Sequence, residues 1–352
     1  MAVGKPNPHY LFFASIEIPT TGLALGCARA ATNKAEQPSQ GAKGPDSAPT
    51  EASDELSLNE LFGPRCTAPT GRLAELAKGP MPRVSEEQRE RYLLDCANAG
   101  RLTPELCDEA RPALLARGRA LLQRLEATRP ATGVGWRWQE PYVGTRIEAE
   151  VLWDLLGLIG RNDEATALLQ RAEALPDPLM KLWSGVSLLR FGQELTAGSS
   201  LAIAADPETR NPFFDKLGEL HRLELFPAAE RTQAKFAESE MVRWLVYPTE
   251  LARAPDHIEL MKTMDADLGP DDSAATYYLF RFKTDPPDQF AKDGWMAGIA
   301  GPFLRKDAPT TDARGETFST FAAWDSASPE QHLQQVQKLI DEVAARRAAG
   351  SP

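Results

Sequence analysis

The 352-residue chain carries 39 Lys and Arg against 50 Asp and Glu, a net charge of −11 that opposes a phosphate backbone and argues against nucleic acid as a partner. Its 42% hydrophobic and 25% charged residues are those of an ordinary globular protein, long enough for two cores. Four Cys and four His are too few for a multi-ligand zinc centre or a disulfide-dense scaffold, and no cofactor is expected.

From the N-terminus, Tyr10 to Gly26 is apolar in places, but Glu17, Pro19, Thr20 and Thr21 interrupt it, and it falls short of the ~20 clean residues of a membrane span. With Lys5 ahead of it and Ala24-Leu25-Gly26-Cys27 at its end, it resembles a bacterial lipoprotein signal, which makes Cys27 the candidate for lipidation. The glutamate in the apolar stretch, and Ala24 where Leu is usual, favour the plainer reading of a cysteine in a disordered leader. Ala28 to Ser53 is Ala, Pro, Ser, Gly, Gln and Lys, unable to bury enough surface to order itself, so residues 1–54 form a leader and linker. The cytoplasm is the favoured compartment; the alternative is a membrane-anchored lipoprotein, touching the membrane only through that lipid.

Residues 55–240 read as helical. Leu73 to Leu76 belongs to a loosely docked arm broken from its neighbours by Gly63-Pro64 and Pro69. Ser85 with Gln88 is a capping box, so a helix starts there and runs to Gly100. Thr103 and Pro104 start the next, with Leu106, Leu114, Leu121 and Leu125 in its stripe; Pro112 is expected to bend or split it. Cys96 and Cys107 flank the turn of this hairpin and could bridge outside the cell, but that would leave Cys66 odd, which favours reduced thiols. Trp136, Trp138 and Tyr142 follow in a Gly-rich connector. They are either partner-binding anchors or plugs of the first helical layer, and ordinary core filling favours plugs.

The chain then turns periodic. Glu148 to Gly160 is apolar on one face, with Gly157 for close approach and Gly160 for a stop, and Asn162 caps a helix over Asp163 to Leu175. Asp177-Pro178, Lys181, Ser184-Gly185 and a Leu-rich end at Gly192 resemble the second helix of a HEAT repeat, and Asp206-Pro207 starts a weaker copy 29 residues on through Phe213, Phe214 and Leu217. This resemblance covers about residues 144–240 and implies two or three stacked helical repeats with an extended surface and no catalytic residues.

Residues 241–352 change character. Met241 to Tyr247, Thr276 to Lys283, Trp295 to Phe303 and Thr317 to Trp324 are rich in aromatic and β-branched residues and read as strands, and Ser328-Pro329 starts a closing helix with Leu333, Val336 and Ile340 in its stripe. The whole is therefore mainly α, a short HEAT-like α-solenoid with a small C-terminal α+β unit that covers its end. Gly294 to Pro302 lacks the Lys-Ser/Thr of a phosphate loop and reads as a bulged buried strand. The acidic run Asp265 to Asp272 misses the EF-hand pattern, with Thr276 where a bidentate Glu is required, and reads as a solvated turn. Glu238 to Asp293 holds 12 acidic and 6 basic residues, a surface that solvation explains and a basic partner could use. His257, with Asp256, Glu250 and Glu259 nearby, could shuttle protons but lacks a nucleophile, and it and His221 read as surface histidines. The expected function is a non-catalytic interaction scaffold for a protein partner, with a basic partner surface the one that would suit the acidic stretch. The rival is small-molecule binding or catalysis in the α+β unit, with Tyr277, Tyr278, Trp295 and Trp324 lining a pocket.

Overall fold

The computed structural model describes residues 66, 70–79, 84–128, 135–246, 253–266, 274–285, 294–307, 309–313 and 322–348. The leader with Cys27, most of the acidic run and Thr317 to Phe321 lie outside the described residues. The described chain is mainly α-helical with a small four-stranded antiparallel sheet near its C-terminus.

Helix α1, Thr70–Lys78, is no loose arm: Leu73, Leu76 and Ala77 are buried, and it packs on α2, Glu86–Asn98, and α3, Pro104–Thr128. Buried Arg89 of α2 donates to the Leu76 carbonyl at 3.1 Å. The thiols are not all reduced, nor is the hairpin pair the one joined. Cys66 is bonded to Cys96 with their Cα atoms 4.9 Å apart, and Cys107 is a buried free thiol. Arg101 seats residue 66 beside α2 by donating to its carbonyl, which brings the upstream sulfur within reach of α2.

Ser85 and Gln88 form the expected capping box on α2. Helix α3 runs unbroken through Pro112. That proline is exposed, as is the Asp108 side chain one turn earlier, so water can take the hydrogen-bonding place of the missing amide. Helix α4 begins six residues before its expected start, at Tyr142, and ends at Leu158. Asn162 caps α5, Asp163–Glu173, and Asp177 caps α6, Pro178–Arg190. The second Asp-Pro pair behaves differently. After α7, Ala197–Ala205, Asp206 closes a turn whose side chain accepts from the Glu208 amide at 2.9 Å, and α8 starts only at Arg210, ending at Glu219.

Alternate helices pack side by side: α2 on α4, α4 on α6 and α6 on α8 in one row, α1 on α3 and α3 on α5 in a second. Helix α4 crosses closely over α6, where Ser187 Oγ donates to the Trp153 carbonyl at 2.7 Å directly beneath Gly157.

The first expected strand is a helix: Met241 to Val246 belongs to α9, Gln233–Val246, which buries Phe236, Ala237, Met241, Val242 and Leu245 at helical spacing. Strands β1, His257–Ala266, β2, Ala275–Lys283, β3, Met296–Leu304, and β4, Ala322–Ala323, pair in chain order. Helix α9 covers one face with Tyr278, Phe280, Phe282 and Phe303 beneath it; α10, Pro329–Ala348, covers the other with Tyr277, Leu279 and Ile299. Both strands flanking β2 are bulged. The register shifts between Leu260 and Lys262 on β1, so Ile258 packs on the α9 side while Met264, also even-numbered, packs on the α10 side. The Gly-rich β3 is the buried, bulged strand its sequence suggested, shifting against β2 between Thr276 and Tyr278.

Candidate functional site

The ends of the first-row helices meet at an ionic cluster. A single 3-10 turn, Trp136–Trp138, brings Arg137 in from the connector, and α4 contributes Tyr142, Arg146 and Glu150 at successive i, i+4 positions. Helix α6 contributes its cap Asp177, and the turn after α7 contributes Asp206 and Glu208.

Each Asp-Pro aspartate does two jobs. Asp177 Oδ1 accepts from the Leu179 amide at 3.0 Å, which caps α6, while Oδ2 accepts from the buried Tyr142 hydroxyl at 3.0 Å. Asp206 holds its own turn and also accepts from Arg137 at 2.8 Å. Arg137 reaches Glu208 at 3.3 Å, and Arg146 reaches Glu150 at 3.2 Å and Glu208 at 4.0 Å. The Arg146 guanidinium lies 4.7 Å from the centre of the Trp138 ring, and Trp136 meets Tyr142 edge-on at 5.0 Å.

Four carboxyls thus surround two guanidiniums, and the excess is felt. Burial first, with the neighbouring carboxylates adding to it, pushes Glu150 and Glu208 up to about 7, against the pull of Arg146 and Arg137. Burial also raises the Tyr142 phenol, reinforced by Asp177. Burial works to lower Arg137, but Asp206, Glu208 and Asp177 outweigh it and hold the guanidinium above its ordinary value. Near neutral pH the site therefore holds two carboxyls that share protons with solvent and prefer an added positive charge. Carboxyls, guanidiniums and a phenol can bind charge and exchange protons. A second network ties α2, α3 and α4 behind it, with Arg117 2.8 Å from Glu86 and 3.5 Å from the fully buried Glu90, which burial pushes up to about 7.

Of the sequence-predicted residues, Tyr142 is fully buried, the plugging role, while Trp136 and Trp138 are half-buried at the rim. The four aromatics suggested to line a pocket do not converge. Tyr277 and Tyr278 pack in opposite cores, Trp295 lies under Arg281 and Lys283 at 4.6 and 4.8 Å, and Trp324 stacks on His332 at 5.7 Å. His221 and His257 are exposed; of the acids suggested around His257, Glu259 pairs with Arg281, Asp256 pairs with Arg253, and Glu250 lies outside the described residues. Among the described residues no three His, Cys, Asp or Glu side chains are placed to hold a metal ion, and no helix is long and apolar enough to cross a membrane.

Arg137, Arg146, Glu150 and Glu208 escaped the sequence reading. One signal was present: Arg146 stands in the stripe of Tyr142, Ala149, Trp153 and Leu156, a charged side chain at a core position, which demands a buried partner. No family model, no curated protein and no solved structure matches the chain.

Proposed function

We propose that the chain is a non-catalytic interaction scaffold, a short HEAT-like α-solenoid closed by its α+β unit, whose partner is a protein with a basic docking segment. The observation that supports this reading is the half-buried Trp138 standing over a cluster with four carboxyls and two guanidiniums. Aromatic residues at a rim are the usual energetic anchors of interfaces, and a Lys or Arg side chain entering beside Trp138 would supply the charge that Glu150 and Glu208 lack. Stacked helices offer the extended surface such a partner needs. The alternative address for this scaffold is a membrane, reached through a lipidated Cys27 as tether.

The experiment is co-purification of the full chain from its source cells, membrane and soluble fractions kept apart, with parent and Trp138→Ala baits compared and intact masses recorded. A partner retained by the parent and reduced at least tenfold with Trp138→Ala supports the scaffold. A mass lacking the first 26 residues and carrying acyl chains supports the tether. Equal partner profiles for the two baits contradict the proposed surface.

A further inference from the structure

The bond between Cys66 and Cys96 closes a loop of sequence separation 30 around the whole of α1. Cys96 sits in the last turn of α2, so the bond fixes the chain ahead of α1 while the α1–α2 connection fixes the chain behind it. Between these two points α1 lies across the helical hairpin with Leu73, Leu76 and Ala77 buried against it. It is also held by the Arg89 hydrogen bond to the Leu76 carbonyl and by an exposed ion pair of Lys78 with Glu109 at 3.6 Å, which contributes little. A nine-residue helix with this small apolar face is marginal without a further constraint. The remaining described thiol, Cys107, is buried in α3.

We propose that the Cys66–Cys96 bond is a redox clamp that locks α1 as a strap over the α2–α3 hairpin, and that it is closed in an oxidising compartment. Closing takes two electrons and two protons from the Cys66 and Cys96 thiols and passes them to the disulfide of a thiol oxidant protein, which leaves as its dithiol; a dithiol reductant reverses the exchange. Such bonds persist outside the reducing cytosol, so the clamp argues against the cytoplasmic preference drawn from the sequence and favours export of the chain. In the closed state α1 covers part of the apolar hairpin. In the open state α1 keeps its non-covalent contacts but loses the covalent tie, and it separates transiently, uncovering that surface and the buried Arg89 guanidinium.

The test has two parts, both on the full chain. Source cells are acid-quenched and alkylated under denaturing conditions without reductant, and the digest is read by mass spectrometry. The expected result is a cross-linked Cys66–Cys96 peptide pair with Cys107 alkylated. Alkylated Cys66 and Cys96, or a Cys107 disulfide, overturns the proposal. Hydrogen exchange is then followed on purified oxidised and reduced protein. Loop-closure entropy for a separation of 30 corresponds to a loss of α1 protection of about 500-fold when the bond is reduced, if all of it falls on α1. A loss of at least tenfold is expected for the Leu73–Lys78 amides, with α6 unchanged. Unchanged protection in α1, or an equal loss in α6, overturns the clamp. Cys66→Ser should reproduce the reduced state and Cys107→Ala should leave both states as in the parent; the reduced parent chain carries the same test if Cys66→Ser does not fold.

Discussion

A methyl group added at position 157 puts the helical packing under its most direct strain. A Cβ on Gly157 would stand 2.9 Å from the Cα and 2.7 Å from the Cβ of Ser187, distances that real side chains do not adopt. The neighbour cannot rotate away, because two of the close atoms hardly move with a rotamer and the Ser187 hydroxyl is held by the Trp153 carbonyl at 2.7 Å. Gly157→Ala must therefore push α4 from α6. Overpacking of this kind costs about 1–3 kcal/mol and the loss of the buried hydrogen bond adds about 1 kcal/mol. Alanine's better helix propensity returns about 1 kcal/mol, which leaves a net loss of about 2 kcal/mol. At about 2–4 °C per kcal/mol for a chain of this size, thermal unfolding followed by circular dichroism should shift down by about 4–8 °C, with the urea m-value unchanged. The double variant Gly157→Ala/Ser187→Gly removes the opposing side chain and should recover at least half of the loss. A Gly157→Ala protein as stable as its parent, or more so, would show propensity winning over contact and refute the reasoning.

Other predictions concern the ionic cluster and the sheet. Asp177→Ala removes the α6 cap and the acceptor of the buried Tyr142 hydroxyl, so urea unfolding should show a loss of about 2–3 kcal/mol; Tyr142→Phe, which leaves the cap, should cost less. Glu240 of α9, pushed up to about 7 by burial against the pull of Arg243, binds its proton more tightly folded than unfolded. Its contribution is present below about 4.5 and is lost as pH rises through about 7, as is that of Glu90, Glu150 and Glu208. The urea midpoint at pH 5 should therefore exceed that at pH 8, and Glu240→Gln should narrow the gap; a gap of opposite sign would contradict the burial of these carboxyls. Deleting Met261 removes the extra residue of the β1 bulge and leaves a regular ladder with Ile258 still opposite Phe282 and Met264 still opposite Tyr277, so the near-ultraviolet signal of the sheet aromatics should be retained; its loss would contradict the placement of the bulge.

Where local chemistry decides the structure, the sequence was legible. Ser85, Asn162, Asp177 and Ser328 all stand as caps because a short polar side chain meets free amides within three residues. Strands β2 and β3 were legible too, since burial on both faces selects continuous apolar runs. Met241 to Val246 misled because its aromatic and β-branched residues suit a strand, whereas the apolar spacing that begins at Phe236 extends the helix through it. Strand β1 stayed hidden because an edge strand that is mostly exposed carries little apolar alternation, and its bulge breaks the period of two. Cysteine spacing allowed a Cys96–Cys107 bridge and the odd Cys66 favoured reduced thiols; the tertiary placement of residue 66 beside Arg101 decides otherwise. The ionic cluster was half legible. The repeated Asp-Pro pairs marked two of its corners, but Arg137, Glu150 and Glu208 converge through packing of segments far apart in sequence.

The proposed docking of a protein partner at the Trp138 rim is open to a direct test. A photoreactive benzophenone amino acid placed at position 138 of the full chain in its own cells reads that contact directly, with position 171 on α5, in the other helical row, as control. The expected result is a covalent adduct from position 138 to a protein whose linked peptide is rich in Lys and Arg, and none to that protein from position 171. No protein adduct from position 138, or the same adduct from both positions, would contradict it.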